Sequence, residues 1–147
     1  MSELLEKARS YEAKKIAATD KESKPLFHIS APAGWINDPN GFSVYNGKIH
    51  LFYQYYPYLR EWGPMHWGHS TTSDMIKWEQ LPCALAPDEE YDKKGCFSGS
   101  AIEADGKHVL VYTGVTRIKL PDGSEQERQN QCIAFGDGLN YVKHENN

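Results

Sequence analysis

Phe42-Ser43-Val44-Tyr45-Asn46-Gly47-Lys48-Ile49-His50-Leu51-Phe52-Tyr53-Gln54-Tyr55 reads as two runs of strand formers hinged on Asn46-Gly47. Asn-Gly tolerates positive φ at both central turn positions, which a two-residue hairpin demands. The spacing predicts strands over 42–45 and 49–55. Outward from it, 66–73 and 77–81 read as two more strands around Asp74. The arrangement then recurs. Residues 97–104 and 108–115 flank Asp105-Gly106, and 129–135 and 140–143 surround Asp137. Asn46-Gly47-Lys48 overlays Asp105-Gly106-Lys107, 59 residues on, and Asp74-Met75-Ile76-Lys77-Trp78 overlays Asp137-Gly138-Leu139-Asn140-Tyr141, 63 residues on. Two all-β units of four antiparallel strands follow, each a meander. Four-stranded repeats of this kind mark propeller blades; a single eight-stranded sandwich or barrel is the alternative. The repeating turn chemistry, beyond strand count, favours blades. Propellers close with about 4 to 8 blades, so the chain is expected to be part of a larger assembly or a truncated copy of a longer protein.

Just ahead of the first predicted strand lies Trp35-Ile36-Asn37-Asp38-Pro39-Asn40-Gly41. The residue before a proline is pushed toward extended backbone, so Asp38 is presented from a stiff segment. Indole, amide and carboxylate within a few residues suit a sugar, offering a flat apolar surface, a hydrogen-bonding group and an acid. Asp-Pro-Asn-Gly alone would read as a turn; the seven-residue run is far more specific. If the first strand of each unit lines a common axis, Asp38 and Phe97-Ser98-Gly99-Ser100 face the same end of it. Gln54 on the second strand and Trp62 in the loop beyond add an amide and an aromatic wall. The set suits a polyhydroxylated ligand.

The chain has 147 residues, a formal charge of −4 and 12% aromatic residues, with a mean hydropathy of −0.67. That balance argues against a nucleic-acid footprint, which needs clustered Lys and Arg, and against attraction to anionic membranes. No apolar run is long enough to span a bilayer, and residues 1–20 lack a signal-peptide core. Cys83, Cys96 and Cys132 show neither a disulfide framework nor metal spacing, so reduced thiols in the cytoplasm are expected. Residues 3–18 read as a helix capped by Ser2, with Leu4, Leu5, Ala8, Tyr11 and Lys15 at three-to-four spacing, and 19–24 as a polar linker. The chain therefore divides into a helix and linker over 1–24 and a β domain over 25–147.

Trp35 to Gly41, Phe52-Tyr53-Gln54, Met65-His66-Trp67-Gly68-His69, Phe97-Ser98-Gly99-Ser100 and Tyr112-Thr113-Gly114 together resemble, in order and spacing, the invertase-type β-fructofuranosidases of glycoside hydrolase family 32. The resemblance covers residues 25 to about 145. It implies the first two blades of a five-bladed β-propeller that precedes a β-sandwich, and a retaining enzyme that releases terminal β-D-fructofuranosyl groups. By position it makes Asp38 the nucleophile. Trp35, Asn37, Gln54, Trp62, Phe97 and Ser98 would line the fructose site. The implied substrate is sucrose or sucrose 6-phosphate, with a fructan as runner-up. No cofactor, nucleic acid or membrane partner is implied.

The chain departs from the family in one respect. The family carries an Arg-Asp-Pro motif whose Asp stabilises the transition state and a Glu-Cys motif whose Glu is the acid/base; neither dipeptide Arg-Asp nor Glu-Cys occurs in residues 1–147. Both motifs are expected beyond Asn147, and the isolated chain is expected to hydrolyse little. Two other readings stand beside the enzyme: a sugar-binding module without chemistry, and an unstable product of a broken gene.

Other signals point to structure. His66 and His69 fall on opposite faces of a strand and lack a third metal ligand. Asp88-Glu89-Glu90 and Asp92 read as a solvated loop, Cys96 as a small buried residue, and the run Tyr53, Tyr55, Tyr56, Tyr58 as sheet packing that borders a pocket.

Overall fold

The computed structural model describes residues 1–20, 22 and 24–147. Of the expected linker over 19–24, Lys21 and Ser23 lie outside the described residues. Helix α1 (Glu3–Ala18) is followed by β1 (Trp35–Tyr45), β2 (Lys48–Tyr56), β3 (His66–Thr72), β4 (Glu79–Leu85), β5 (Gly95–Ala104), β6 (Lys107–Lys119), β7 (Glu125–Gly136) and β8 (Tyr141–Lys143). They form two four-stranded antiparallel meanders, β1-β2-β3-β4 and β5-β6-β7-β8.

The repeat extends to the turns. Asn46 and Gly47 have φ of 49° and 71°, Asp105 and Gly106 of 50° and 70°, the positive pair that matches a hairpin's twist. Asp74 Oδ1 accepts the N–H groups of Ile76 and Lys77 at 2.9 and 2.8 Å. Asp137 Oδ1 does the same for Leu139 and Asn140 at 2.9 and 2.7 Å. The residue after each aspartate, Met75 or Gly138, has positive φ, 59° or 91°.

Several strand limits differ from expectation. β1 begins at Trp35 instead of Phe42, because bulges carry Asp38-Pro39-Asn40-Gly41 through a strand where these residues would otherwise turn. β4 runs past Pro82 to Leu85; the register slips there, and a proline on an outer strand forfeits no ladder bond. β6 and β7 run on as a polar hairpin through Lys119 and Glu125, held by its own backbone ladder and by Arg117–Glu125 at 3.5 Å, without the apolar alternation that would reveal it in sequence.

The two sheets close on one apolar layer. Phe52, Trp67, Leu85, Cys96, Leu110, Tyr112 and Tyr141 are buried between them. A parallel bridge joins Met65 to Gly95, and Cys96 N–H donates to Met65 O at 2.8 Å. Gly41, with φ of 52°, is packed tightly in the seam; a Cβ there would meet the Phe52 ring at 2.7 Å and Ala101 Cβ at 3.2 Å. Three imidazoles lie in this seam. His50 and His69 share a hydrogen bond of 2.9 Å, and His108 bonds Ser43 at 2.9 Å and Tyr141 at 2.8 Å. All three cysteines are free and buried.

Helix α1 covers the outer edge of the first sheet. Ser2 caps it, accepting Leu5 N–H at 3.2 Å. Its buried stripe is Leu5, Ala8 and Glu12, which meets Tyr53, Tyr55, Cys83 and Ala86; Leu4 is exposed instead. Arg9 Nε donates to Cys83 O at 2.9 Å and Cys83 N–H donates to Glu12 Oε2 at 2.9 Å. One helical turn thus satisfies both backbone groups of an edge residue, as a neighbouring strand would. Arg9 also reaches Asn140 and Leu139 of the second sheet.

The far face of the second sheet is apolar as well. Ile102, Val109 and Phe135 share it through their register, as do Val111, Ile133 and Val142. Ile102 and Val142 are 59% and 73% exposed. Among the described residues no helix is long and apolar enough to cross a membrane.

Candidate active site

The site is built on bulges in the first strand of each sheet. In β1, Ile36 pairs with Tyr55 and Pro39 with Tyr53, so Asn37 and Asp38 stand opposite the single residue Gln54. In β5, Phe97 pairs with Thr113 and Gly99 with Tyr112, so Ser98 is the extra residue. A bulge re-aims a side chain out of the pleat. Here the two aim at each other: Ser98 Oγ donates to Asp38 Oδ2 at 3.0 Å. Both residues are exposed.

Beneath this pair the two strands are cross-tied. Gly99 N–H donates to the side-chain oxygen of buried Asn40 at 3.3 Å. Gln54 Nε2 donates to Cys96 O at 3.0 Å and Trp67 Nε1 to Phe97 O at 3.2 Å. The backbone on either side of Phe97 is thereby held, while its ring meets Trp62 edge-on at 6.3 Å. Trp62 is 51% exposed and forms an open aromatic rim.

Residues 28–147 match the family described as Glycosyl hydrolases family 32 N-terminal domain. The chain belongs to glycoside hydrolase family 32. It is 48% identical over 120 residues to a sucrose-6-phosphate hydrolase of Escherichia coli, covering 81% of this chain and 25% of that protein. It is 39% identical over 148 residues to a levanase of Bacillus subtilis, covering 98% of this chain and 21% of that protein. Among solved structures, a mutant of the family 32 β-fructofuranosidase of Bombyx mori in complex with sucrose superposes with a TM-score of 0.83 at 45% identity, over 97% of this chain and 29% of that one. The chain thus spans about a quarter of the length of these family 32 relatives.

Against this family background, the geometry divides the sequence-predicted residues. Asp38 and Ser98 are joined directly, and Phe97, the residue before Ser98, meets Trp62 as a ring pair. Gln54 is buried, and its amide nitrogen donates to Cys96 O, which ties the two sheets together. Asn37 is exposed in the same bulge as Asp38. Trp35 pairs with Tyr56, and its indole Nε1 is buried with no hydrogen-bond partner. Asn40 and Trp67, both cross-ties, escaped sequence reasoning. Asn40 was hidden inside a run that reads as a turn, and a buried tryptophan in a strand signals only core.

No group of three or more His, Cys, Asp or Glu side chains that could hold a metal occurs among the described residues. His66 bonds Pro64 O at 2.9 Å beside Tyr56 and Tyr58, whereas His69 stacks on Phe52 on the opposite face. Cys96 is buried, and burial raises its thiol well above the usual value, the reverse of an activated nucleophile. Asp88 and Asp92 are not a solvated loop: both are bound by Lys143, and Asp92 also accepts from Tyr112 OH at 2.8 Å.

Proposed function

We propose that Asp38 is the nucleophile of a β-fructofuranosidase that cleaves sucrose or sucrose 6-phosphate with retention. The observation that carries this reading is the Ser98–Asp38 hydrogen bond, made between two bulges. A hydroxyl donor holds one carboxylate oxygen and leaves the other free to attack the anomeric carbon of fructose. Trp62 and Phe97 would shield one side of the ring from water, and Asn37 would hydrogen-bond the sugar with Trp35 beside it. Retention needs a second carboxyl about 5 to 5.5 Å from the first. Since residues 1–147 contain neither Arg-Asp nor Glu-Cys, that group and the transition-state stabiliser would come from sequence that this chain does not include. The two-faced apolar second sheet supports a further sheet packed against Ile102, Ile133 and Val142, in keeping with the five-bladed propeller that the resemblance implies. Three buried, unpaired thiols agree with a reducing, cytoplasmic setting.

A fructan is the second substrate reading, favoured by the near-complete coverage of this chain in its match to the levanase. The test is a chimera joining residues 1–147 to the remainder of the E. coli relative, assayed on sucrose, sucrose 6-phosphate, inulin and levan. Fructose release that Asp38→Asn abolishes, with a fructosyl adduct trapped on Asp38, is the expected result. Undiminished turnover by Asp38→Asn would end the reading.

A further inference from the structure

A concavity lies between the C-terminal half of α1, residues 24–34 and the loop after β2. It is about 390 Å³ in volume, and Lys15, Lys24 and Arg60 line it with no carboxylate among its walls. Tyr11 and Tyr58, in edge contact at 5.2 Å, form its apolar side. We propose that this groove binds a phosphorylated small molecule. The inference is independent of the role given to Asp38.

Three like charges in one cleft repel each other unless an anion joins them, and a cleft lined by one sign of charge concentrates counter-ions. Among the described residues none of the three cations is paired with an acid. The acids nearest in sequence, Asp20, Glu22 and Glu61, are not part of the lining. The end of α1 opposes an anion with only about half a negative charge. Two of its carbonyls are also occupied, since Thr19 N–H donates to Ile16 O and Thr19 Oγ1 to Lys15 O. Two ammonium groups and a planar guanidinium fork match the three oxygens of a phosphate ester better than the two of a carboxylate. The volume exceeds that of a bare ion and falls within the range of small-molecule sites, so the remainder of the ligand has the tyrosine edges to pack on.

The groove is linked to the candidate site along the chain: Gly34, in its wall, precedes Trp35, and Arg60 lies two residues before Trp62. The phosphate could therefore belong to a phosphorylated sugar that extends to Asp38, or to a separate metabolite.

The experiment is calorimetric titration of the 147-residue chain with inorganic phosphate, glucose 6-phosphate and glucose. Saturable binding of the two phosphates without binding of glucose is expected. Each of Lys15→Gln, Lys24→Gln and Arg60→Gln should weaken it at least about tenfold, the weight of one charge-assisted hydrogen bond. Lys14→Gln, on the same helix outside the groove, should leave it unchanged. Competition by sucrose assigns the phosphate to a sugar that reaches Asp38, and simultaneous binding assigns it to a separate molecule. Circular dichroism verifies that the variants stay folded, as expected of such solvent-accessible positions. Unchanged affinity in the triple variant, or no phosphate binding by the wild-type chain, would overturn the proposal.

Discussion

Ser98 Oγ lies 3.0 Å from Asp38 Oδ2, although the two residues belong to different sheets and are 60 positions apart. The contact exists because each strand carries an extra residue at the same height, and because Asn40, Gln54 and Trp67 hold the two backbones together below it. Its consequence for activity can be measured. In the active chimera, Ser98→Ala should lower kcat about tenfold by removing one hydrogen bond to a charged group, with a smaller change in KM. Asp38→Asn should remove activity almost entirely. Steady-state sucrose hydrolysis separates the two outcomes.

Positive φ occurs at a packed position, Gly41, and at an exposed turn position, Met75. Gly41→Ala puts a methyl against Phe52, Ala101 and Trp67 at φ of 52°, and should destabilise the chain by about 2–4 kcal/mol. Met75→Gly relieves a left-handed methionine that is 55% exposed, and should stabilise it by about 0.5–1 kcal/mol. Urea unfolding midpoints with an unchanged m-value report both.

Burial holds the seam imidazoles neutral. It lowers His108 from 6.5 to about 4, lowers His69 well below 6.5 and lowers His50. His66, outside the seam, is lowered to about 4 for the same reason. These groups bind fewer protons folded than unfolded, so stability is lost as pH falls from 6.5 toward 4 and is flat above 6.5 on their account. Glu12 acts in the opposite sense over part of this window, but it is one group against four. Urea midpoints should fall on acidification, and His108→Gln should flatten the slope; a midpoint independent of pH between 6.5 and 4 would contradict the seam's neutrality.

Desolvation raises the Glu12 carboxyl from 4.5 to about 7. The folded chain keeps this proton where the unfolded chain releases it, so the group costs stability as pH rises from 4.5 through 7. Glu12→Gln keeps an acceptor for Cys83 N–H and removes that cost. It should stabilise the chain above pH 7 relative to wild type and have little effect near pH 4.5, by denaturation at each pH. Glu12→Ala should lose about 1–3 kcal/mol by orphaning a buried edge N–H.

The far face of the second sheet carries a prediction about solution behaviour. Ile102 and Val142 present an uncovered apolar surface, which favours association. The 147-residue chain should form concentration-dependent oligomers in sedimentation, and Ile102→Lys with Val142→Lys should shift it to monomer.

Sequence was informative where local chemistry decides structure. The Asn46-Gly47 and Asp105-Gly106 hairpins, the paired aspartate turns and the helix over 3–18 are all dictated by nearest neighbours, and all are present. It was uninformative where distant packing decides. Asp38-Pro39-Asn40-Gly41 has turn composition and yet runs inside β1, because Gly41 must fit under Phe52 and Asn40 must meet Gly99. Gln54 donates to a carbonyl 42 residues away, a tie between the sheets that no local pattern reveals. Asp88 and Asp92 resemble a surface charge run until Lys143, near the other end of the chain, is folded onto them. Glu12 lies outside the helical positions that spacing picks out, and its burial follows from the Cys83 N–H that it accepts at the sheet edge.

The anchors that set Phe97 in place grip its main chain, through the carbonyls of residues 96 and 97, and leave its ring unconstrained by polar contacts. Position 97 can therefore be exchanged in evolution while the scaffold around Asp38 stays fixed. On the role proposed for Asp38, such a division would let selectivity drift among related sugars without each change having to rebuild the reactive centre.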